Sequence, residues 1–411
     1  MSWREVQLSE FLNTGGIDIQ TGPFGTQLKA SDYVTEGTPV INVRNIGYGV
    51  LRPDKLEFVP DQVSSRLSVH ILRTRDIVFG RKGAVDRHLI ATESEAGWMQ
   101  GSDCIRLRVH TDKINPKFLS YALRLPTHKQ WMITQCSNKA TMASLNQDVV
   151  SRISVFLPDT TTQQKITSIL SAYDDLIENN RRRIHLLEQA ARLLYKEWFV
   201  HLRFPGHEHV KIKDGVPEGW EKKKIADVCE TVGGGTPSTK ISEYWDGDIT
   251  WVVPSDITKD DCLALLRSER KITEKGLRES SAKMVPAETI LMTSRASVGF
   301  FALMDHEVCT NQGFINIIPH EDEMRMYLLF NLMSRVEEIR SNAKGTTFPE
   351  ISKGRFRDMG VVVPPKIFTN EFAGFASGVI RQVRILRRST LKLEKARDLL
   401  LPRLMNGEVA V

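Results

Sequence analysis

Between residues 163 and 200, mostly apolar positions return every three or four residues: Leu170, Tyr173, Ile177, Asn180, Ile184, Leu187, Ala191, Leu194 and Trp198. This spacing keeps one stripe of a helix facing a partner, as in a coiled-coil seam. No Gly or Pro interrupts 163–200, and Thr160-Thr161-Thr162 behind Pro158 supplies the expected N-cap. A second, weaker stripe runs Ala376, Val379, Val383, Leu386, Thr390, Leu393, Arg397, Leu400 and Leu404. Gly374 and Gly378 lie near its start, and Pro402 is expected to end or kink it. Elsewhere the pattern is shorter. TPVINV, RDIVFG, CIRLRV, GDITWVV, TILMT and INIIP have the alternation or apolar runs of strands. Loops rich in Gly, Ser and Thr separate them. Helices are expected near 116–136, kinked at Pro126, and over 322–340. The pattern predicts two α+β domains, each followed by a long helix.

The two halves are copies. WREVQLSEF at Trp3 returns as WEKKKIADV at Trp220, an offset of 217. KASDYV (29–34) returns as KISEYW (240–245), and VINVRNI (40–46) as WVVPSDI (251–257), both at 211. DIVFGRKGAV (76–85) matches TILMTSRASV (289–298) at 213, and QGSDCIRLRV (100–109) is aligned with QGFINIIPH (312–320) at 212. KATMASLNQD (139–148) answers KGTTFPEISK (344–353). From Ser171/Ser377 to Leu194/Leu400 the offset holds at 206, through the identities Arg181/Arg387, Leu187/Leu393 and Glu188/Glu394. A drifting offset marks loops that accept insertions; a fixed one marks a rigid element. The domains are therefore expected at 1–158 and 204–365, with helical segments at 159–203 and 366–411.

Composition adds a charge asymmetry. The 411 residues carry a net charge of +6. Residues 1–155 sum to +4, residues 207–365 to −4 and the remainder to +6. A polyanionic partner is compatible with this, but both domains would have to meet it with local patches. The five cysteines are scattered without a CxxC pair, as expected in a reducing cytoplasm and against structural zinc. No secretory start and no run of eighteen apolar residues is present, so no membrane span is expected.

No HExxH, GxSxG, kinase set, NPPY-like adenine-methylation motif or cofactor glycine loop occurs. TVGGGTPSTK (231–240) lacks the GK[ST] of a phosphate loop, leaving a polar loop against nucleic acid or a structural turn. Ser268-Glu269-Arg270-Lys271 holds a lone Glu-x-Lys of nuclease type. His201, His207 and His209 could ligate a metal, but Pro205 and Gly206 favour a linker. FGRKGAVDRH (79–88) and TSRASVGF (293–300) each put a basic residue just after a strand, Lys82 matching Arg295. Cations at loop tips suit phosphate or guanine contacts, although single loops of this kind are more often solvated turns. SNKATMASLNQ (137–147) and NAKGTTFPEIS (342–352) offer Lys, Thr and Ser for the same purpose, or for helix capping. Tyr33 and Tyr244 are read as core anchors, with base stacking as the alternative.

These features resemble the specificity subunit of Type I restriction-modification systems over essentially the whole chain. The resemblance rests on GWEKKKIADVCETVGGGTPSTKISEYWDGDITWVVPSDI (219–257), SRASVGFFALMDHEVCTNQGF (294–314), GTTFPEI (345–351), QQKITSILSAYDDLIENNRRRIHLLEQAARLLYKEWFV (163–200) and LEKARDLLLPRLMNGEV (393–409). It implies two target-recognition domains, each reading one half of a split, asymmetric site in double-stranded DNA. It implies an antiparallel coiled coil that spaces them and docks two methylation subunits. S-adenosylmethionine, ATP and Mg would belong to those partners and to motor-nuclease subunits, and catalysis with them. A helix of about 38 residues spans roughly 55 Å, enough to hold half-sites about one turn of B-DNA apart. DNA contacts are then expected from Lys29, Arg44, Arg81, Lys82, Lys139, Thr141 and Ser144 in the first domain. In the second they are expected from Thr236, Ser238, Lys240, Ser294, Arg295, Lys344, Thr346 and Thr347. Helix packing is expected from Leu170, Tyr173, Ile177, Ile184, Leu187 and Leu194, and from Val379, Val383, Leu386, Leu393 and Leu400. The alternative is a stand-alone DNA-binding regulatory or architectural protein.

Overall fold

The computed structural model describes residues 3–53, 55–136, 143–259, 262–345 and 349–411. It divides into two compact units, Met1–Asp175 with Leu393–Val411, and Leu176–Lys392. Both long helices are shared between them.

In the first unit a five-stranded sheet has the order Ile17–Thr21, Cys104–Val109, Ile77–Gly80, His88–Ile90, Tyr48–Gly49. A three-stranded sheet has the order Glu57–Val59, Thr38–Ile41, Met99–Gln100, with Val40 parallel to Met99. Arg4–Gln7 pairs with Ser154–Leu157. Alternate apolar residues of the larger sheet, such as Ile77, Phe79, Ile105 and Leu107, share a core with Phe118 and Leu119. The segment expected to be one kinked helix is two helices, Pro116–Leu123 and Pro126–Cys136. Pro126 has no amide hydrogen to continue the first, and it serves instead as the first residue of the second.

The long helix Thr160–Tyr195 begins in this unit. Its cap is Asp159, which accepts from the Thr162 amide and hydroxyl at 2.9 Å each, rather than a threonine side chain. That amide hydrogen bond holds the Asp159 carboxyl below its usual range. The end of the other long helix, Lys366–Met405, packs here: Leu401, Leu404 and Met405 share a core with Ile166 and Leu170. Pro402 does not end that helix. It sits in the last turn, where its missing amide costs one hydrogen bond, and Asn406 N–H closes onto the Pro402 carbonyl at 2.9 Å.

The second unit repeats the plan. One sheet orders Cys229–Gly233, Phe314–Pro319, Ile290–Thr293, Phe301–Ala302; another orders Arg270–Ile272, Trp245–Val252, Val308–Thr310, Met284–Val285. Glu221–Lys224 pairs with Gly360–Val363. The first long helix passes through Ile177 and Ala191 and finishes in a π turn, Lys196–Val200. Ala191 shares a core with Ala376, Val379, Ile380 and Val383 from the early part of the second helix. Within each unit, then, the helix ends meet in antiparallel order.

Strand pairing corrects one repeat alignment. Val78 and Leu291 sit at the expected offset of 213, but Gly80 pairs with Cys104 and Thr293 with Phe314. Gly101 N–H bonds the Ile41 carbonyl where Asn311 N–H bonds that of Val252. The true offset here is 210, so the two Gln-Gly dipeptides are not equivalent. The turn before the strand, Gly101–Cys104 or Asn311–Phe314, has the same length in both copies.

Of the helix positions read as seam, Leu170, Ile177, Val379, Val383 and Leu386 are buried. Tyr173, Ile184, Leu187, Leu194, Leu393 and Leu400 are half-buried. Asn180 is 8 % exposed and donates to Ser389 Oγ at 3.4 Å, which satisfies a polar group in the seam.

Candidate nucleic-acid interface

In the first unit, the strand Cys104–Val109 lies antiparallel between Ile17–Thr21 and Ile77–Gly80. Both neighbours therefore finish where it begins, at the Gly101–Cys104 turn. Gly22 N–H bonds the Cys104 carbonyl at 2.9 Å, and Arg81 N–H bonds the Asp103 carbonyl at 2.7 Å. Gly101 N–H bonds the Ile41 carbonyl at 2.8 Å. Loops starting at residues 22, 42 and 81 thus emerge at one end of the sheet. A fourth segment joins them: Gly83 N–H bonds the Ala143 carbonyl and Leu145 N–H the Arg81 carbonyl, with Lys82 opposite Ser144.

This edge gathers five of the expected residues. Lys82 Nζ lies 2.9 Å from Asp103 Oδ1, and Arg44 lies 2.7 Å from Glu57. Both pairs are about half exposed, so each contributes at most about 1 kcal/mol and can exchange its carboxylate for a phosphate. Lys29 is exposed at the far side of the first loop, with no ion pair among the described residues. Arg81 is half-buried and Ser144 exposed. Lys139 and Thr141 lie outside the described residues.

The second unit reproduces the bonds that hold the Lys82 tip and its neighbouring segment. Ser294 N–H bonds the Gly313 carbonyl at 2.7 Å, Ile351 N–H the Ser294 carbonyl at 3.0 Å, and Ala296 N–H the Pro349 carbonyl at 2.9 Å. Arg295 faces Glu350 at 3.8 Å, and Lys344 exchanges both backbone bonds with Glu350. Lys344 is exposed, whereas Ser294 is 3 % exposed and cannot offer its side chain to a ligand at the surface. Thr346 and Thr347 lie outside the described residues.

The glycine-rich loop after Cys229–Gly233 is explained by packing. A Cβ on Gly234 would sit 2.0 Å from the Asn311 carbonyl oxygen, and one on Gly235 2.2 Å from that of Ser281. Trp251 Nε1–H donates to the Gly235 carbonyl at 2.9 Å and Trp245 Nε1–H to that of Ser238 at 3.1 Å. The two indoles meet edge to face, and the Arg270 guanidinium lies 4.1 Å over Trp245. Thr236 is tied to Gln312 through its hydroxyl. Ser238 and Lys240 are exposed just beyond this clamp. Tyr244 is a core residue bonded to Glu279, and Tyr33 packs half-buried against Leu28 and Val40.

Three features escaped the sequence. An acid lies beside each tip cation, Asp103 beside Lys82 and Glu350 beside Arg295; both come from other segments, so no local pattern shows them. The tryptophan clamp spans a bulged strand, Trp245–Val252. Gly83 and Ala296, equivalent at offset 213, both take a left-handed backbone, φ +74° and +59°. Only the glycine advertises this in sequence.

The remaining candidates have other surroundings. Glu269 is an exposed partner of Lys259 at 2.7 Å. Of the three histidines, His207 turns back on Phe204, whose carbonyl lies 2.9 Å from its Nδ1. No group of His, Cys, Asp and Glu able to hold a metal occurs among the described residues, and no helix there is long and apolar enough to cross a membrane.

Comparison with known proteins finds the same duplication of the chain. The family model described as Type I restriction modification DNA specificity domain matches residues 3–189 and again 217–394. The type I restriction enzyme MjaIX specificity subunit of Methanocaldococcus jannaschii is 39% identical over 189 residues; the match spans 44% of this chain and only 44% of that relative. A putative MjaX specificity subunit of the same organism is 23% identical over 384 residues, 91% of this chain and 88% of the relative. The crystal structure of a Type I restriction-modification S subunit from M. genitalium shares the fold, with a TM-score of 0.62 at 14% identity, covering 98% of this chain and 96% of that one. With the family's domain matched in both halves, the chain belongs to the family of type I restriction-modification DNA specificity subunits.

Proposed function

We propose that each unit reads one half of a bipartite, asymmetric site in double-stranded DNA, through the loops at one end of its larger sheet. The observation that carries this is the repeated edge. The same set of backbone bonds in both units presents a basic tip, Lys82 or Arg295, beside a second segment. A shared frame with different side chains suits two readers of different half-sites. The curated relatives are specificity subunits of restriction enzymes, which supports the same role here.

The two long helices space the readers and dock two methylation subunits, which carry S-adenosylmethionine and the adenine-N6 chemistry. Motor-nuclease subunits with ATP and Mg complete the restriction complex. This chain supplies recognition, not catalysis. The second domain, with a net charge of −4, needs charge from its partners to hold the phosphate backbone firmly.

Salt titration of DNA binding by the assembled methylation complex tests the edge. Replacing Lys82 or Arg295 by Ala should weaken binding and flatten the dependence of log affinity on log salt by about one unit per lost phosphate contact. An unchanged slope in both variants would remove these tips from the DNA interface.

A further inference from the structure

Phe24 was passed over in the sequence, yet it stands on the same edge as Lys82. It lies in Thr21-Gly22-Pro23-Phe24-Gly25 and is 63 % exposed. The root of its loop is fixed. Gly22 is bonded to Cys104 and packed so closely that a Cβ would sit 2.0 Å from the Gly101 carbonyl oxygen, and Pro23 is buried. The tip is fixed as well. Phe24 N–H bonds Gln27 Oε1 at 3.2 Å, and the Phe24 carbonyl accepts from Gln27 at 2.8 Å and Leu28 at 3.0 Å. Leu28 is buried, and Arg66 donates to the Gln27 carbonyl at 2.9 Å. A large apolar ring is therefore held in water by an ordered turn, on the loop that carries Lys29 and leaves the sheet beside the loop bearing Lys82.

Single exposed apolar residues are common and need no explanation. Two things set this one apart: its turn is braced at both ends, and it shares an edge with loops carrying cations. A phenyl ring makes no hydrogen bond to phosphate. Its favourable contacts with DNA are with the faces or apolar edges of bases. The corresponding loop of the second unit has Thr236, Pro237 and Ser238, with Pro237 buried, and carries no aromatic side chain.

We propose that Phe24 is a base-contacting residue of the first unit, an apolar tip set against bases of the half-site that unit reads. It rests on the DNA-reading role of this edge. The contact is one-sided, so the two half-sites are read by different chemistry: an apolar tip plus cations in one, cations and hydroxyls in the other.

The test uses the assembled complex with its methylation subunits and target DNA. A photo-crosslinking phenylalanine analogue at position 24 should attach to a base in the half-site read by residues 1–158. The same analogue at position 156, where Phe156 is 54 % exposed on the strand Ser154–Leu157 away from these loops, should not. Phe24→Ala should weaken target binding about tenfold, within the range typical of base–aromatic contacts, and leave the melting temperature unchanged. If Phe24→Ala binds within twofold of the parent while a Lys29→Ala, Lys82→Ala double variant is weakened, the Phe24 inference is overturned and the edge stands. If neither variant is weakened, the edge itself is wrong and Phe24 falls with it.

Discussion

The two units hold their long helices by different chemistry at equivalent positions. In the first, Asp174 lies 3.0 Å from Arg124 and 2.7 Å from Arg397, and accepts from the Tyr121 hydroxyl at 2.8 Å. At the fixed offset of 206, Asp174 corresponds to Ile380 and Arg397 to Ala191. Both counterparts belong to the apolar core of the second unit. There Tyr195, Phe199, Tyr327, Phe330 and Phe372 pack ring to ring at centroid distances of 5.0–6.3 Å. One backbone frame thus accepts either a charge network or an aromatic cluster. What the duplication preserves is helix length and register, not the interaction that fixes them. A buried ion pair often gains little over an apolar replacement but loses much when halved, so the two solutions should respond differently to mutation and pH.

The largest effect is expected in the aromatic cluster. Phe372 is fully buried among Tyr195, Phe199 and Phe330, and Phe372→Ala should cost about 3–5 kcal/mol in denaturant unfolding of the second unit. A loss under about 1 kcal/mol would mean that the cluster is loosely packed. Next comes Asp174→Ala, which leaves Arg124 without its carboxylate and Arg397 with Asp398 alone. The carboxylate is 23% exposed, so the usual range for a broken buried pair is discounted to about 2–3 kcal/mol. Transplanting the other solution, Asp174→Ile with Arg397→Ala, should recover part of this; if it proves worse than Asp174→Ala alone, the two frames are not interchangeable.

Acid should separate the units more gently. Burial raises the Asp174 carboxyl pKa, but Arg124, Arg397 and the Tyr121 hydroxyl outweigh it and hold the group below its ordinary value. The folded state therefore gains from the ionised form above the ordinary carboxylate range near pH 4, and that gain is lost as pH falls through the depressed value. Melting followed from pH 7 to 3 should show the first unit weakening in acid, and Asp174→Asn should reduce the slope. The smallest effect concerns the loop tips. Ala296→Gly should stabilise the second unit by about 1 kcal/mol, because alanine there holds a left-handed backbone. Gly83→Ala should cost the first unit a similar amount, since an added Cβ meets nothing within 4 Å and only the backbone is strained.

The helices were legible because their positions repeat at a fixed offset, and periodicity alone places Leu170, Ile177, Val379 and Val383 on the inner face. The polar members of that contact were not. Asp174 reads as a solvent-facing acid until Arg124, fifty residues away, and Arg397, over two hundred away, are brought beside it. The reading edge was half legible for the same reason. Lys82 and Arg295 stand out as basic tips after strands, while Asp103, Glu350 and the braced Phe24 acquire meaning only through strand pairing. Ser294 misled because a serine after a strand looks exposed, whereas its backbone is clasped on both sides, by Gly313 and Ile351. The Gln-Gly echo misled because identical letters outweighed the register, which strand partners set.

The most direct measurement is the methylation pattern of cells carrying this chain with its methylation subunits, before and after residues 1–158 are replaced by those of a relative with another specificity. The duplicated readers predict N6-methyladenine at one split motif, with one half changed by the exchange and the other half and its distance retained. A motif that changes in both halves, or in neither, would contradict the assignment of one half-site to each unit.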